Sequence, residues 1–207
     1  MRGMNKGLAT VGLLCLFAFN GFSQDNLTSK TISVYPHDSE SNAKDIIRQI
    51  VEVVGLKPNF EIRAGNVPNA AAIISNGKRF IIYDPVFIEK INSVVNTDWG
   101  GIYIIAHEIG HHLNGHTLLQ GGSKPETELE ADEFAGYVLR KMGATIVQGR
   151  MAVGIISREK ETASHPSRAQ RIESMETGWN HADYQLSPEN KPVPLMPKES
   201  EQDKQEA

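Results

Sequence analysis

His107-Glu108-Ile109-Gly110-His111 is the one stretch whose residue types and spacing point directly to chemistry. Two histidines four apart, with a glutamate after the first, match the H-E-x-x-H pattern of zinc-dependent hydrolases. The spacing has a helical logic. Positions i and i+4 lie about 40° apart on one face of a helix, so both imidazoles can reach one ion. The glutamate is rotated by about 100° from His107, near enough to meet an attacking water but off the ligand axis. Residues 101–106 lead in without a proline and Leu113 continues the run, which predicts a buried helix. Buried histidine and glutamate side chains need partners. A pattern of five residues also arises by chance, and the chemistry needs a third ligand.

That ligand is sought in the acidic segment from about Glu126 to Met142, which follows a loop at Gly121-Gly122-Ser123-Lys124-Pro125. Taken as a helix, its Glu128, Asp132, Ala135, Leu139 and Met142 fall within about 40° of one line. Acidic groups in line with Ala, Leu and Met are expected to be buried, and buried carboxylates are paired or bind metal. Glu128 is therefore the expected third zinc ligand. Asp132 is the expected acceptor of the second N–H of a ligand histidine. A solvated acidic helix with favourable N-terminal charges would explain Glu126 but not Asp132. Ala131 and Ala135 would let this helix approach the metal helix closely. A longer ligand pattern, H-E-x-x-H-x-x-G-x-x-H, is excluded, because Asn114 and Thr117 stand where it needs glycine and histidine. His112 and His116 lie away from the His107/His111 line and read as structural or surface residues.

The elements that must position these groups follow from patterning. Apolar residues from Ala43 to Val54 recur at helical spacing, and Gly55 and Pro58 end that helix. Phe60 to Ala64 alternates like a strand. Ala70 to Ser75 and Lys78 to Tyr83 flank Asn76-Gly77, a strong hairpin signal. Asp84-Pro85 reads as an N-cap followed by proline in the first turn, opening a helix to about Val95. The order predicts an α+β domain, mostly helical, with a small antiparallel sheet beside the metal helix. A polypeptide substrate is expected to add as a strand to an exposed sheet edge, with Asn69 to Ser75 as the candidate edge. The competing reading of that segment is an ordinary structural hairpin.

The chain has 207 residues, enough for one domain with a real core. Residues 1–23 read as a signal peptide: Arg2 and Lys6, an apolar run from Leu8 to Phe19, then Gly21-Phe22-Ser23 as the cleavage site. About 12 apolar residues fall short of the roughly 20 a membrane anchor needs. The one cysteine, Cys15, lies in this stretch, and Leu14 precedes it where lipid attachment would favour a small residue. Cleavage after Ser23 would leave neither disulfide nor thiol nucleophile. It would also make the chain more acidic than its formal −4, which argues against nucleic acid as the main partner. The expected product is an exported, periplasmic protein without a transmembrane segment. Residues 24–40 are an expected extended lead-in, 41–180 the metallopeptidase domain and 181–207 a disordered tail.

The pair of motifs, His107-Glu108-Ile109-Gly110-His111 and Glu128-Leu129-Glu130-Ala131-Asp132, resembles the signatures of the HtpX/Oma/CAAX-prenyl-protease family of zinc endopeptidases. The resemblance covers roughly residues 40–178 and is to the soluble exported branch. It implies a zincin-like domain of the gluzincin type with one zinc ion per chain. Its ligands would be His107, His111 and Glu128, with Glu108 as general base and Asp132 behind the ligands. His165-Pro166 with Arg171 looks like the family's H-P-x-x-x-x-R element, which implies catalytic roles for both. His165 would be a blocking fourth ligand or a transition-state donor, and Arg171 a further donor to the oxyanion. The bland alternative for His165 is a helix N-cap before Pro166. The resemblance further implies envelope protein quality control. No repeat domain follows the catalytic one, which leaves partner recruitment without a module.

The expected reaction is peptide-bond hydrolysis, with water activated at zinc and Glu108 carrying its proton to the leaving amine. The rival from another class is a zinc-stabilised binding or chaperone-like module of the envelope. An intact Glu108 and only three ligands speak against it, since a purely structural zinc site is usually closed by four.

Overall fold

The computed structural model describes residues 11–13, 41–119, 123–187 and 189. In chain order the elements are β1 (Val11–Leu13), α1 (Ser41–Val53), β2 (Phe60–Ala64), β3 (Ala70–Ser75), β4 (Lys78–Tyr83), α2 (Pro85–Val95), α3 (Trp99–Leu113), α4 (Pro125–Met142), α5 (Ile146–Ile156) and α6 (Arg168–Leu186). A 3-10 turn, His116–Leu118, lies between α3 and α4.

Helix α3 is the centre of the molecule. Every residue from Gly100 to His112 is buried, as its continuous apolar run required. The sheet covers one side of it and α2, α4 and α5 pack on others. The main core joins Ile50 of α1, Ile81 of β4, Ile91 of α2, Ile104 and Ile105 of α3, Leu139 of α4 and Met175 of α6.

Local chemistry sets most boundaries. Asn76 and Gly77 both take positive φ, 50° and 73°, which is what a two-residue hairpin turn demands. The Asp84 side chain accepts from Val86 N–H and Pro85 fills the first turn, so α2 starts where predicted. Left-handed Asn96 ends it. Helix α5, which the apolar patterning did not single out, is opened by a reciprocal Thr145/Gln148 cap. A second such box, Ser167/Gln170, opens α6. The N-cap of α6 is thus Ser167, two residues past His165, and the capping alternative for His165 is overturned.

Two further expectations need correction. The sheet is mixed, not antiparallel: its order is β1-β3-β4-β2, and β2 runs parallel to β4. The chain leaving β2 does not fold back as a hairpin. Residues 65–69 cross the end of β4, held by Gly65 N–H to Tyr83 O and Asp84 N–H to Asn69 O, and deliver the chain to the far side as β3. The domain also runs beyond 180, because α6 continues to Leu186 with Ser187 as its C-cap.

The signal-peptide reading lies outside the described residues except at Val11–Leu13. These pair antiparallel with the candidate edge, Val11 opposite Ile74 and Leu13 opposite Ala72. The lead-in at 24–40 and residues 190–207 of the tail lie outside the described residues altogether. Among the described residues, no helix is long and apolar enough to cross a membrane.

Candidate metal centre

His107 and His111 sit one turn apart on the inner face of α3, and Glu128 meets them from the first turns of α4. All three are buried, and their ligand atoms lie within 4.8 Å of one another. The two Nε2 atoms are 3.1 Å apart. Glu128 places Oε2 3.4 Å from His107 Nε2 and Oε1 3.6 Å from His111 Nε2. Ser123, just before α4, donates its hydroxyl to Glu128 Oε1. The helices come this close because both are small at the contact: a Cβ on Gly110 would stand 3.2 Å from the Cα of Ala131.

Behind His107 the structure builds a closed polar network. His107 Nδ1 donates to Asp132 Oδ1 at 2.8 Å. Arg171 grips the same carboxylate with two hydrogen bonds, Nε to Oδ2 and Nη2 to Oδ1, each 2.7 Å. The Tyr103 hydroxyl also donates to Asp132 Oδ1. With Nδ1 committed as a donor to Asp132, Nε2 of His107 is the ring nitrogen that faces His111 and Glu128, and once it gives up its proton its lone pair points there. Two imidazole nitrogens and a carboxylate converging among buried residues are a donor set for a divalent cation. This cluster can hold a metal ion.

Electrostatics agrees. Burial works against a charge on His107, but Asp132 and Glu128 outweigh it and lift its pKa to about 9. Burial would raise Glu128, yet the hydrogen bond and charge of His107, with His111 and Arg171, hold it well below the carboxylate range. His111 is pushed well below the usual value by burial and then by the His107 charge. The metal-free site therefore stores one proton as a His107–Glu128 ion pair, where a cation would otherwise sit.

Glu108 is anchored to the sheet. Its Oε2 accepts the backbone N–H of Ala72 in β3 at 2.7 Å, while Oε1 is buried without a hydrogen-bond partner. Burial raises its pKa to about 8, against the lowering effect of the His107 charge.

The remaining predicted residues divide. Asp132 accepts from Nδ1 of His107, the contact expected of it. Arg171 is 2 % exposed and bound to Asp132 and Tyr103, on the Nδ1 side of His107 rather than the ligand side. Its predicted role as an oxyanion donor is corrected to one of fixing Asp132. His165 is not part of the ligand cluster. Its Nδ1 meets Ser164 Oγ at 2.8 Å, and its buried Nε2 has no hydrogen-bond partner. His112 is structural as read: Nε2 donates to Phe80 O at 2.9 Å, its ring stacks on Phe60, and Arg79 caps its carbonyl.

His116 is the residue the sequence reading missed. It is 4 % exposed and stands between His111 and Glu130, with Nδ1 2.9 Å from His111 Nδ1 and Nε2 2.8 Å from Glu130 Oε2. Counting helical angles past His111 assumed that α3 continues. Asn114-Gly115 is a stop signal, and Gly115 turns the chain back with φ 73°. That dipeptide could have revealed the turn. No family model, curated protein or solved structure matches the chain.

Proposed function

We propose that the protein is a zinc-dependent endopeptidase, related to the family its paired motifs resemble and with a zincin-like catalytic domain. The observation that carries this reading is the division of labour around the cluster. Three buried groups converge on one point, while Glu108, next in the chain to His107, is held by the backbone of β3. For zinc at about 2.0–2.2 Å in tetrahedral geometry, ligand atoms lie roughly 3.3 Å apart; the two Nε2 atoms stand 3.1 Å apart, and each has one Glu128 oxygen nearby, Oε2 at 3.4 Å from His107 and Oε1 at 3.6 Å from His111. Three protein ligands leave a coordination position open, as catalytic rather than structural zinc sites do.

When bound, the ion supplies a Lewis acid for both the scissile carbonyl and the attacking water. Glu108 Oε1, the oxygen without a partner, takes the proton of that water and passes it to the leaving amine. Its Oε2 stays on Ala72 N–H, so β3 holds the base in place. The same strand lines up the substrate: an extended peptide adds to the β3 edge, as Val11–Leu13 of this chain does. His165, with its buried Nε2, serves as a gate or as a donor to the oxyanion. Export to the periplasm and a role in envelope protein quality control complete the proposal, the first resting on residues 1–23 and the second on the resemblance.

The test is zinc content and casein cleavage by residues 24–207, beside Glu108→Gln and His165→Ala. Cleavage lost in Glu108→Gln with zinc retained supports the peptidase. Stoichiometric zinc without cleavage in any variant would move the reading to a zinc-stabilised binding module.

A further inference from the structure

We infer that His116 and Glu130 form a relay that orients the ligand His111 and links the metal centre to the protein surface. The inference deepens the metal-centre reading above and rests on it. Glu130 is 60 % exposed at its side chain, and its carboxylate offers only acceptors, so His116 Nε2 must carry the hydrogen that joins them. In the tautomer that donates from Nε2, His116 has a bare Nδ1. That nitrogen faces His111 Nδ1 at 2.9 Å, so His111 must be the donor. The consequence falls on the other ring nitrogen. His111 Nε2 is left as a lone pair, 3.1 Å from His107 Nε2, in the form a metal ligand needs.

The two ligand histidines are thus fixed by different devices. His107 donates to Asp132, whose charge is neutralised in the core by Arg171. His111 donates to a second imidazole, which passes the hydrogen-bond chain outward to Glu130. Both carboxylates and the ligand Glu128 belong to α4, so one helix supplies the third ligand and the outer partner of each histidine. The turn after α3 is built to hold His116 there. Gly115 reverses the chain, and Leu118 and Leu119 N–H close back on Gly115 and His116 carbonyls at 3.0 Å. The Thr117 hydroxyl faces His112 Nδ1 at 3.4 Å.

A histidine buried merely to fill space would make a different prediction from a relay. Leucine conserves volume and removes the acceptor. Asparagine is smaller but keeps an amide oxygen near the place of Nδ1. The experiment compares wild type, His116→Leu, His116→Asn and Glu130→Gln for zinc affinity by chelator competition, the visible spectrum of the cobalt(II) form, and melting of the metal-free chain. The relay predicts a zinc affinity about 10–100-fold weaker in His116→Leu with an altered cobalt spectrum. Recovery to within a few-fold is expected in His116→Asn. Glu130→Gln, at an exposed position that folding does not need, should lose about tenfold or less. Leucine binding zinc as well as wild type, or better than asparagine does, overturns the relay. An unchanged Glu130→Gln beside a weakened His116→Leu removes Glu130 from it. A wild-type chain that takes up neither zinc nor cobalt overturns the metal centre itself, and the relay with it.

Discussion

At the scale of single residues, the site is a set of charges that satisfy one another only in particular protonation states. Arg171, Asp132 and Tyr103 form a buried network with no exit to water, and removing one member strands the rest. Arg171→Met should cost about 3–5 kcal/mol, because it takes from the buried Asp132 carboxylate the two hydrogen bonds and the charge of its guanidinium partner and leaves it His107 alone as a charged neighbour. Thermal or denaturant unfolding of the metal-free chain measures this, and a loss below 1 kcal/mol would mean that the pair is not the support described. The proton stored near the ligands gives a pH dependence with a definite sign. His107 is raised from its ordinary value near 6.5 to about 9, and Glu108 from near 4.5 to about 8. Both bind a proton more tightly in the metal-free fold than in the unfolded chain. Their contribution is thus complete at acid pH and is lost as pH rises through about 8 and 9. Metal must displace the His107 proton, so zinc affinity runs the other way and should rise about tenfold per pH unit per proton released, up to about pH 9. Titration calorimetry at pH 7 in buffers of different ionisation enthalpy should find at least one proton released per zinc. None released would refute the stored proton.

At the scale of elements, what could be read from the sequence was whatever is decided within a few residues. The Asn76-Gly77 turn, the Asp84-Pro85 start and the helical spacing of His107 and His111 carry their own instructions, and the structure follows each. The line through Glu128, Asp132, Ala135 and Leu139 is buried, because a helix buries one continuous face, while Met142 at its end is only partly buried. What was not legible depends on how elements dock. Parallel pairing of β2 with β4 is fixed by a crossover, not by the alternation inside either strand. The grip of Arg171 on Asp132 joins residues 39 apart and exists only because α6 lies directly against α4. That contact is made backbone to backbone. A Cβ on Gly178 would stand 1.8 Å from Glu133 O, and one on Gly136 would stand 1.9 Å from Met175 O. Neither neighbour is a side chain that can swing away. Gly178→Ala should therefore push the helices apart and destabilise the fold by roughly 1–3 kcal/mol or more, as overpacking does. Its effect should extend to zinc affinity, since Arg171 moves with α6. Gly154→Ala, at a helical position with open space around it, is the control expected to leave both unchanged. Equal behaviour of the two variants would show that the crossing tolerates a methyl group.

At the scale of the whole molecule, the candidate metal centre is also a junction. His107 and His111 come from α3 and Glu128 from α4, and their hydrogen-bond partners are Asp132 on α4, His116 in the turn that follows α3 and Ser123 just before α4. An ion bound there ties the central helix to the helix that carries every outer carboxylate. Because the ligands are brought together only by the fold, binding free energy adds to folding free energy. With free zinc a thousandfold above its dissociation constant, the native state gains about 4 kcal/mol. For a domain of this size, that moves the melting temperature by roughly 10 °C. Melting the chain with zinc and with a chelator should show this gap, and Glu108→Gln should keep it, since Glu108 is not a ligand. Glu128→Ala should melt at one temperature in both conditions. That contrast separates a junction from a passive pocket: loss of hydrolysis alone says only that chemistry has stopped, whereas a zinc-dependent melting point that vanishes with Glu128 ties the ion to the architecture. A wild-type chain whose melting temperature ignores zinc would mean that the three groups are held in place by protein contacts alone.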